Sequence, residues 1–262
     1  MLQRAWERGD IGPGRGVVEA SSGSTSMALA MCCARLGLPF TAVMPASVSP
    51  ERVTSIRAYG ARVELIDADA GILAAIHRAQ QLASAEGLFH TRQFENPDNA
   101  LAHEHVTGPE ILSAMGPGPI DAVVSGVGTG GTIVGLYRGL GKAHPGLRPV
   151  VARPMTGHCM GGIECCSFSA RVPGVVDGVS RLYREARLPG VWEIEVDDKL
   201  ALETTRTLIA SGFPVGPSSG LNYAAALAAA RRLGPDARIV TVFADRMERY
   251  FSTEMFADLR QP

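Results

Sequence analysis

The sequence predicts an α/β protein of two lobes, each a parallel sheet with helices on both faces. Two observations carry this: strand-like and helix-like stretches alternate from end to end, and few hairpin signals lie between them. Strands separated by helices of this length require right-handed crossovers, and hence a mostly parallel sheet. Val17-Val18-Glu19-Ala20 reads as the first strand, followed by a Ser/Gly turn and an Ala-rich helix closing near Leu36-Gly37. Phe40 to Met44 is the next apolar run. Ser49 as N-cap, Pro50 at the first helical position and Gly60 just past the end punctuate another helix. Arg62 to Ile66 is a strand, and Gly71 to Glu86 a helix closed by Gly87. Ile120 to Ser125 is a buried-looking strand that runs into Gly126-Val127-Gly128-Thr129-Gly130-Gly131-Thr132, and a helix then reaches Lys142. Pro149 to Ala152 continues the alternation. Residues 153–193, rich in Gly, Pro and Cys, break it and read as an irregular functional or interdomain region. Asp197 opens a helix ending at Gly212, Ser218-Ser219-Gly220 opens an Ala-rich one closed by Gly234, and Arg238 to Phe243 is the last strand.

Length and composition bound the function. A chain of 262 residues makes one to two domains. A soft boundary near Asn96-Pro97 divides a small lobe, residues 1–96, from a larger one, residues 97–262, with a cleft expected between them. The 25 basic residues nearly balance 26 acidic ones, which gives no electrostatic reason to expect nucleic acid or an anionic membrane surface as partner. No apolar run approaches the ~18 residues that span a bilayer, and no basic-then-apolar leader opens the chain. The five cysteines, Cys32-Cys33, Cys159 and Cys165-Cys166, are odd in number and mostly vicinal, so the expectation is a reduced, soluble, cytoplasmic protein. Only two lysines occur, Lys142 and Lys199, so any chemistry that needs a lysine amine has two candidates.

Three strand-to-helix turns carry the chemical information, because ligands of parallel sheets collect at the carboxyl ends of strands. Gly126 to Thr132 exposes backbone N–H groups and threonine hydroxyls at a helix N-terminus, a pocket for a phosphate monoester or another anion. It lacks the lysine of a nucleotide P-loop and the spacing of a dinucleotide fingerprint. Ser21-Ser22-Gly23-Ser24-Thr25-Ser26 offers hydroxyls and N–H groups to a carboxylate, although simple N-capping explains it equally when taken alone. In Pro217-Ser218-Ser219-Gly220 a hydroxyl could face a ring nitrogen or an anion, or merely cap the helix.

Taken together, in this order, the turns resemble one family. The chain is similar to the cysteine synthase (O-acetylserine sulfhydrylase) branch of the fold-type II pyridoxal-phosphate enzymes, whose architecture is that of the tryptophan synthase β chain. The matching stretches are Val17 to Ser26, Val43-Met44-Pro45 with Ser49-Pro50-Glu51-Arg52, and Gln93 to Asn99 with His103 and Thr107-Gly108-Pro109-Glu110. Gly126 to Thr132, Gly216 to Gly220 and Glu248 to Thr253 complete a resemblance running from Met1 to Phe256. It implies pyridoxal 5'-phosphate as cofactor, with Gly128, Thr129, Gly130, Gly131 and Thr132 on its phosphate, Ser218 on the pyridine nitrogen and Ser24 beside the ring hydroxyl. Ser21, Ser22, Gly23, Thr25 and Gln93 match the groups that bind the amino-acid carboxylate. The implied reaction is β-replacement on a serine-derived amino acid: loss of a leaving group such as acetate, then addition of sulfide to give cysteine. The implied partners are that small-molecule amino acid and a second copy in a homodimer.

Three departures qualify the resemblance. The family's Schiff-base lysine lies in a Ser-Val-Lys segment upstream of the helix that matches Met1 to Arg8, and neither Lys142 nor Lys199 replaces it. The expectation is therefore an N-terminally truncated fold, with no catalytic residue assigned, cofactor held only noncovalently, and no activity in the chain as given. An incomplete chain of an ordinary enzyme fits this better than a non-catalytic binding or regulatory module, because a scaffold has no need of a phosphate cradle. Ser24 stands where the family has Asn, which we read as a mark of subtype. Gly161 to Ser167 replaces a Gly-rich run with bulkier residues and bears on the leaving group and nucleophile, so that desulfhydration of cysteine or diaminopropionate synthesis stays open. His158, Cys159, Cys165 and Cys166 fit no structural zinc spacing, and we expect cleft-lining thiols or a redox-sensitive pair instead of a metal site. The other histidines, at 77, 90, 103, 105 and 144, read as structural or surface residues.

Overall fold

The computed structural model describes residues 1–21, 23–154 and 179–260. The chain divides into two compact units, Met1–Gln93 with Arg249–Pro262, and Phe94–Glu248.

The first unit is built on a four-stranded sheet of order β3-β2-β1-β4, all parallel, from β1 (Val17–Ala20), β2 (Phe40–Pro45), β3 (Arg62–Ile66) and β4 (Phe89–His90). The helices are α1 (Leu2–Glu7), α2 (Ser24–Leu36), α3 (Pro50–Ala58) and α4 (Gly71–Glu86). Every residue of β1 and β2 is buried, as expected for parallel strands covered on both faces. Phe40, Ala42 and Met44 of β2 pack with Leu29, Ala30 and Cys33 of α2, Ile56 of α3 and Leu2 and Ala5 of α1. The helix α4 packs on β1 and β2. Gly37 and Gly87 end α2 and α4 in left-handed backbone at φ 67° and 66°, conformations that glycine reaches without strain. The C-terminal segment belongs to this unit. Ser49 Oγ donates to Arg249 O (2.8 Å), Ser252 Oγ donates to Glu51 Oε2 (2.8 Å), and the Arg52 guanidinium lies 4.9 Å from the centre of the Tyr250 ring.

The second unit carries a sheet of order β7-β6-β5-β8, again all parallel, from β5 (Ala122–Gly126), β6 (Arg148–Pro154), β7 (Trp192–Val196) and β8 (Ile239–Thr241). Alternation along β5 and β6 splits the core. Ala122, Val124, Val150 and Ala152 pack on Leu221, Ala225 and Ala229 of α10 (Pro217–Leu233) and Ala201 of α9 (Asp198–Ala210). Val123 and Val151 pack on Ile133, Leu136 and Leu140 of α7 (Gly131–Gly141). Helices therefore cover both faces, and the parallel sheets flanked by helices expected from the sequence are present.

Two stretches are more regular than the sequence suggests. Residues 97–115 form α5 (Pro97–Ala102), a π-helical turn (His103–Thr107) and α6 (Gly108–Met115). The described end of the irregular region holds α8 (Arg181–Ala186) and β7, where Trp192, Ile194 and Val196 alternate toward the core. The last strand is shorter than expected, Ile239–Thr241, because only these residues pair with β5. Gly161 to Ser167, His158, Cys159, Cys165 and Cys166 lie outside the described residues.

The helix α7 meets α5 and the π-helical turn through glycines four apart. A Cβ at Gly135 would lie 2.2 Å from Ala100 O and 2.6 Å from His103 Cβ, and one at Gly139 would lie 2.8 Å from Glu104 O. Gly135→Ala is therefore expected to destabilise the protein by about 2 kcal/mol despite alanine's better helix propensity. Gly141→Ala on the same helix meets nothing within 4 Å and should be neutral or stabilising; thermal unfolding of the two variants checks the contrast. On α2, burial and then the neighbouring Cys32 push the Cys33 thiol up to about 12. At pH 8 iodoacetamide should label exposed Cys32 and leave buried Cys33 untouched until denaturant is added, as peptide mass spectrometry would show.

Candidate active site

The glycine-rich turn leaves the carboxyl end of β5 and enters α7. No side chain caps this helix from its N-cap position, Gly130 at φ 79°. The Gly131 N–H turns to the Thr129 hydroxyl, and the N–H groups of Thr132 and Ile133 have no side-chain partner among the described residues and can meet a ligand. The turn is tightly held from behind. Asn99 Nδ2 donates to Thr129 Oγ1 (2.8 Å), which also accepts from Gly131 N–H (3.3 Å). Ser180 Oγ donates to Thr129 O (2.6 Å) while accepting from Tyr183 N–H (3.0 Å). Thr132 Oγ1 lies 3.3 Å from His103 Nε2. A Cβ at Gly131 would lie 2.2 Å from Asn99 Oδ1, and one at Gly130 would lie 2.6 Å from Tyr183 Cβ. Neither glycine can carry a side chain without moving the groups that hold the turn.

Asn222 of α10 ties the start of this turn to the sheet. Gly126 N–H donates to Asn222 Oδ1 (2.7 Å), and Asn222 Nδ2 donates to Val242 O (3.0 Å), just beyond β8. Ser218 lies one helical turn before Asn222, on the same face of α10. Its hydroxyl is half-buried and makes no hydrogen bond among the described residues, and α10 has no side-chain cap. The neighbouring Ser219 hydroxyl is also without a partner, but it is fully enclosed. Of the two serines, Ser218 is the one whose hydroxyl a ligand can reach. An uncapped helix start, two threonine hydroxyls and an unpartnered serine one turn from the loop suit a phosphorylated aromatic ring, and the residues present fit pyridoxal 5'-phosphate.

In the first unit the serine loop follows β1. Ser21 Oγ accepts from Gly23 N–H (3.2 Å) and Ser26 N–H (3.3 Å), and Ser26 Oγ donates to Ser21 O (3.4 Å), a self-bonded turn at the head of α2. Ser22 lies outside the described residues. Gly23 passes so close to Arg52 that a Cβ would lie 3.1 Å from its Nε. Arg249 Nη1 donates to Ser24 Oγ (2.7 Å). Thr25 is half-buried on the first turn of α2. Gln93 is brought to the loop by a buried carboxylate: Glu19 accepts from Gln93 N–H (2.9 Å), Ala20 N–H (2.8 Å) and the Thr91 hydroxyl, with His90 Nε2 at 3.4 Å. Gln93 Nε2 in turn donates to Ala20 O (2.6 Å).

The structure thus gathers Gly128 to Thr132 and Ser218 in one unit, and Ser21, Gly23, Ser24, Thr25 and Gln93 in the other. Sequence reasoning does not single out Glu19, Asn99, Ser180, Asn222 and Arg249, which hold these loops, and His103, expected to be a structural or surface residue, lies beside Thr132. For His103 a signal existed, since it sits four residues before Thr107 in a stretch already matched to the family. Both lysines stand on the surface. Lys142 follows the far end of α7 and pairs with Glu104 (2.6 Å), whose carboxyl it holds below the ordinary range. Lys199 lies 3.8 Å from Glu203 with its side chain 83% exposed.

Comparison with known proteins agrees with this chemistry. Residues 1–245 match the family of pyridoxal-phosphate dependent enzymes. A cysteine synthase of Staphylococcus aureus is 34% identical over 265 residues, covering 98% of this chain and 82% of its own length. Cysteine synthase B of Campylobacter jejuni is 36% identical, covering 98% of this chain and 85% of its own length. The crystal structure of a hydrogen sulfide-producing enzyme from Fusobacterium nucleatum superposes with a TM-score of 0.85 at 31% identity, covering 99% of this chain and 78% of that one. With the fold, the loops and these relatives in agreement, the chain belongs to the cysteine synthase family of pyridoxal-phosphate dependent enzymes.

Proposed function

We propose that this enzyme performs β-replacement on a serine-derived amino acid, in its simplest form O-acetylserine and sulfide giving cysteine and acetate. The observation that carries the reading is the start of α7, an uncapped helix N-terminus flanked by Thr129 and Thr132, whose oxygens are both engaged from behind. Pyridoxal 5'-phosphate, when bound, supplies the electron sink that lets the leaving group depart. The chain's own residues bind and orient. Gly128 to Thr132 hold the phosphate, the Ser218 hydroxyl meets the pyridine nitrogen, and Ser24, steadied by Arg249, stands at the ring hydroxyl. Ser21, Ser22, Gly23, Thr25 and Gln93 take the substrate carboxylate through N–H and O–H donors, whose hydrogen bonds the carboxylate's charge strengthens. No lysine of these residues stands at either loop, so they contribute no amine for a covalent link to the cofactor.

That placement of Lys142 and Lys199 favours a second reading, a chain that binds cofactor and amino acid without turning them over. Borohydride reduction of the protein isolated from its natural source, followed by intact-mass measurement, separates the two. A trapped cofactor adduct supports the enzyme, and a mass without one supports the binding module. A homodimer in the cytoplasm belongs to the same proposal. The dimer is supported by the family resemblance and the cytoplasm by the odd, mostly vicinal cysteines; among the described residues no helix is long and apolar enough to cross a membrane.

Two outcomes test the assignments. Thr129→Ala and Thr132→Ala should each weaken binding of pyridoxal 5'-phosphate about tenfold, the loss of one hydrogen bond to a charged group, read by absorbance titration. Unchanged affinity would overturn the phosphate-loop reading. Glu19→Ala strands the buried donors of Thr91 and Gln93 and should cost about 3 kcal/mol of stability. It should also weaken amino-acid binding more than cofactor binding, measured by calorimetry with each ligand.

A further inference from the structure

We propose that His103 is a positioning residue for the phosphate loop: with Thr107 behind it and Thr132 before it, the imidazole forms a relay that keeps the Thr132 hydroxyl proton turned outward, toward the ligand. The proposal rests on the reading of Gly128 to Thr132 as a phosphate cradle.

The geometry is a three-membered chain. Thr107 Oγ1 lies 3.1 Å from His103 Nδ1, and Thr132 Oγ1 lies 3.3 Å from His103 Nε2. Neither threonine hydroxyl makes another hydrogen bond among the described residues, so both keep capacity to spare. Burial lowers the His103 pKa from 6.5, which keeps the ring neutral at physiological pH. A neutral imidazole has one donor and one acceptor nitrogen, so the chain can run in only two directions.

In the outward direction Thr107 O–H donates to Nδ1, Nε2–H donates to Thr132 Oγ1, and the Thr132 proton is left for a ligand. In the inward direction Thr132 O–H donates to Nε2, Nδ1–H donates to Thr107, and Thr132 turns a lone pair to the site. A phosphate dianion only accepts, so it stabilises the outward direction and is repelled by the inward one. Thr107, which never touches the ligand, then sets the tautomer that makes Thr132 a donor. Two features hold the relay in place. The His103–Thr107 segment is a π-helical turn, an irregularity that recurs at functional sites. The missing side chain of Gly135 admits His103 against α7.

The test uses the full chain and pyridoxal 5'-phosphate as probe, followed by fluorescence titration. Thr107→Val, which removes the hydroxyl at nearly constant volume, should weaken binding about fivefold, and Thr107→Ser should restore it. His103→Gln, which can still present an N–H near the Nε2 position, should stay within about threefold of the parent, and the shorter His103→Asn should lose about tenfold. Affinity for pyridoxal, which lacks the phosphate, should be the same in all four variants, a pattern that misfolding would not produce. Nitrogen-15 NMR of histidine-labelled protein should show the Nε2–H tautomer at His103 with cofactor bound, and a mixture in Thr107→Val. If Thr107→Val and His103→Asn bind normally while Thr132→Ala does not, the relay is wrong and the cradle stands. If Thr129→Ala and Thr132→Ala also bind normally, the cradle reading fails and takes the relay with it.

Discussion

The second unit depends on how closely two backbones approach. Gly131, Gly135 and Gly139 recur every four residues along α7 and leave a groove into which α5 and the π-helical turn settle, near enough that a methyl group would collide at each position. Such an approach forfeits helix propensity, roughly 1 kcal/mol for each glycine relative to alanine. What it provides is placement. Asn99 comes to Thr129 and His103 comes to Thr132 because nothing on α7 stands in their way. The same glycines that read locally as weak helix formers are what allow the loop ahead of them to be braced.

The first unit solves a similar problem with charge. Glu19 is an acid in the middle of a wholly buried strand, a position that would be costly without partners. Its oxygens collect donors from Ala20, Thr91 and Gln93, which fastens the segment after β4 to the end of β1. Gln93 is thereby held against Ala20, at the start of the serine loop. Arg249 reaches the same loop from the opposite end of the sequence. There its guanidinium bonds the hydroxyl of Ser24 at the head of α2.

Local pattern was enough for the elements that obey it. Pro50 at the first position starts α3, Gly87 ends α4, and the buried run from Ala122 leads into the glycine turn, each because a backbone or periodic rule acts within a few residues, although the Ser49 hydroxyl turns to Arg249 O and does not cap α3. The stretch 97–115 escaped because helices of six and eight residues joined by a π-helical turn carry too little periodicity to stand out. In the candidate site the loops were legible and their supports were not. Thr129 announces itself in a glycine-rich turn, whereas Asn99 and Ser180 reach it from 30 and 51 residues away. Pairings of that kind are made by the fold, and no window along the sequence contains both partners. The resemblance to a family narrowed the chemistry, and the hydrogen bonds behind the loops came only from the structure.

The path of the chain also has a consequence for assembly. Ser49 and Arg249 are joined across 200 residues, and Glu51 and Ser252 across 201. The serine loop can fold early, but the arginine that bonds it leaves the ribosome after the whole second unit has been made. Closing so long a loop costs little more entropy than closing a short one, yet it fixes an order of events. The first unit stays incomplete until the second has been made, and the segment from Arg249 onward then completes it.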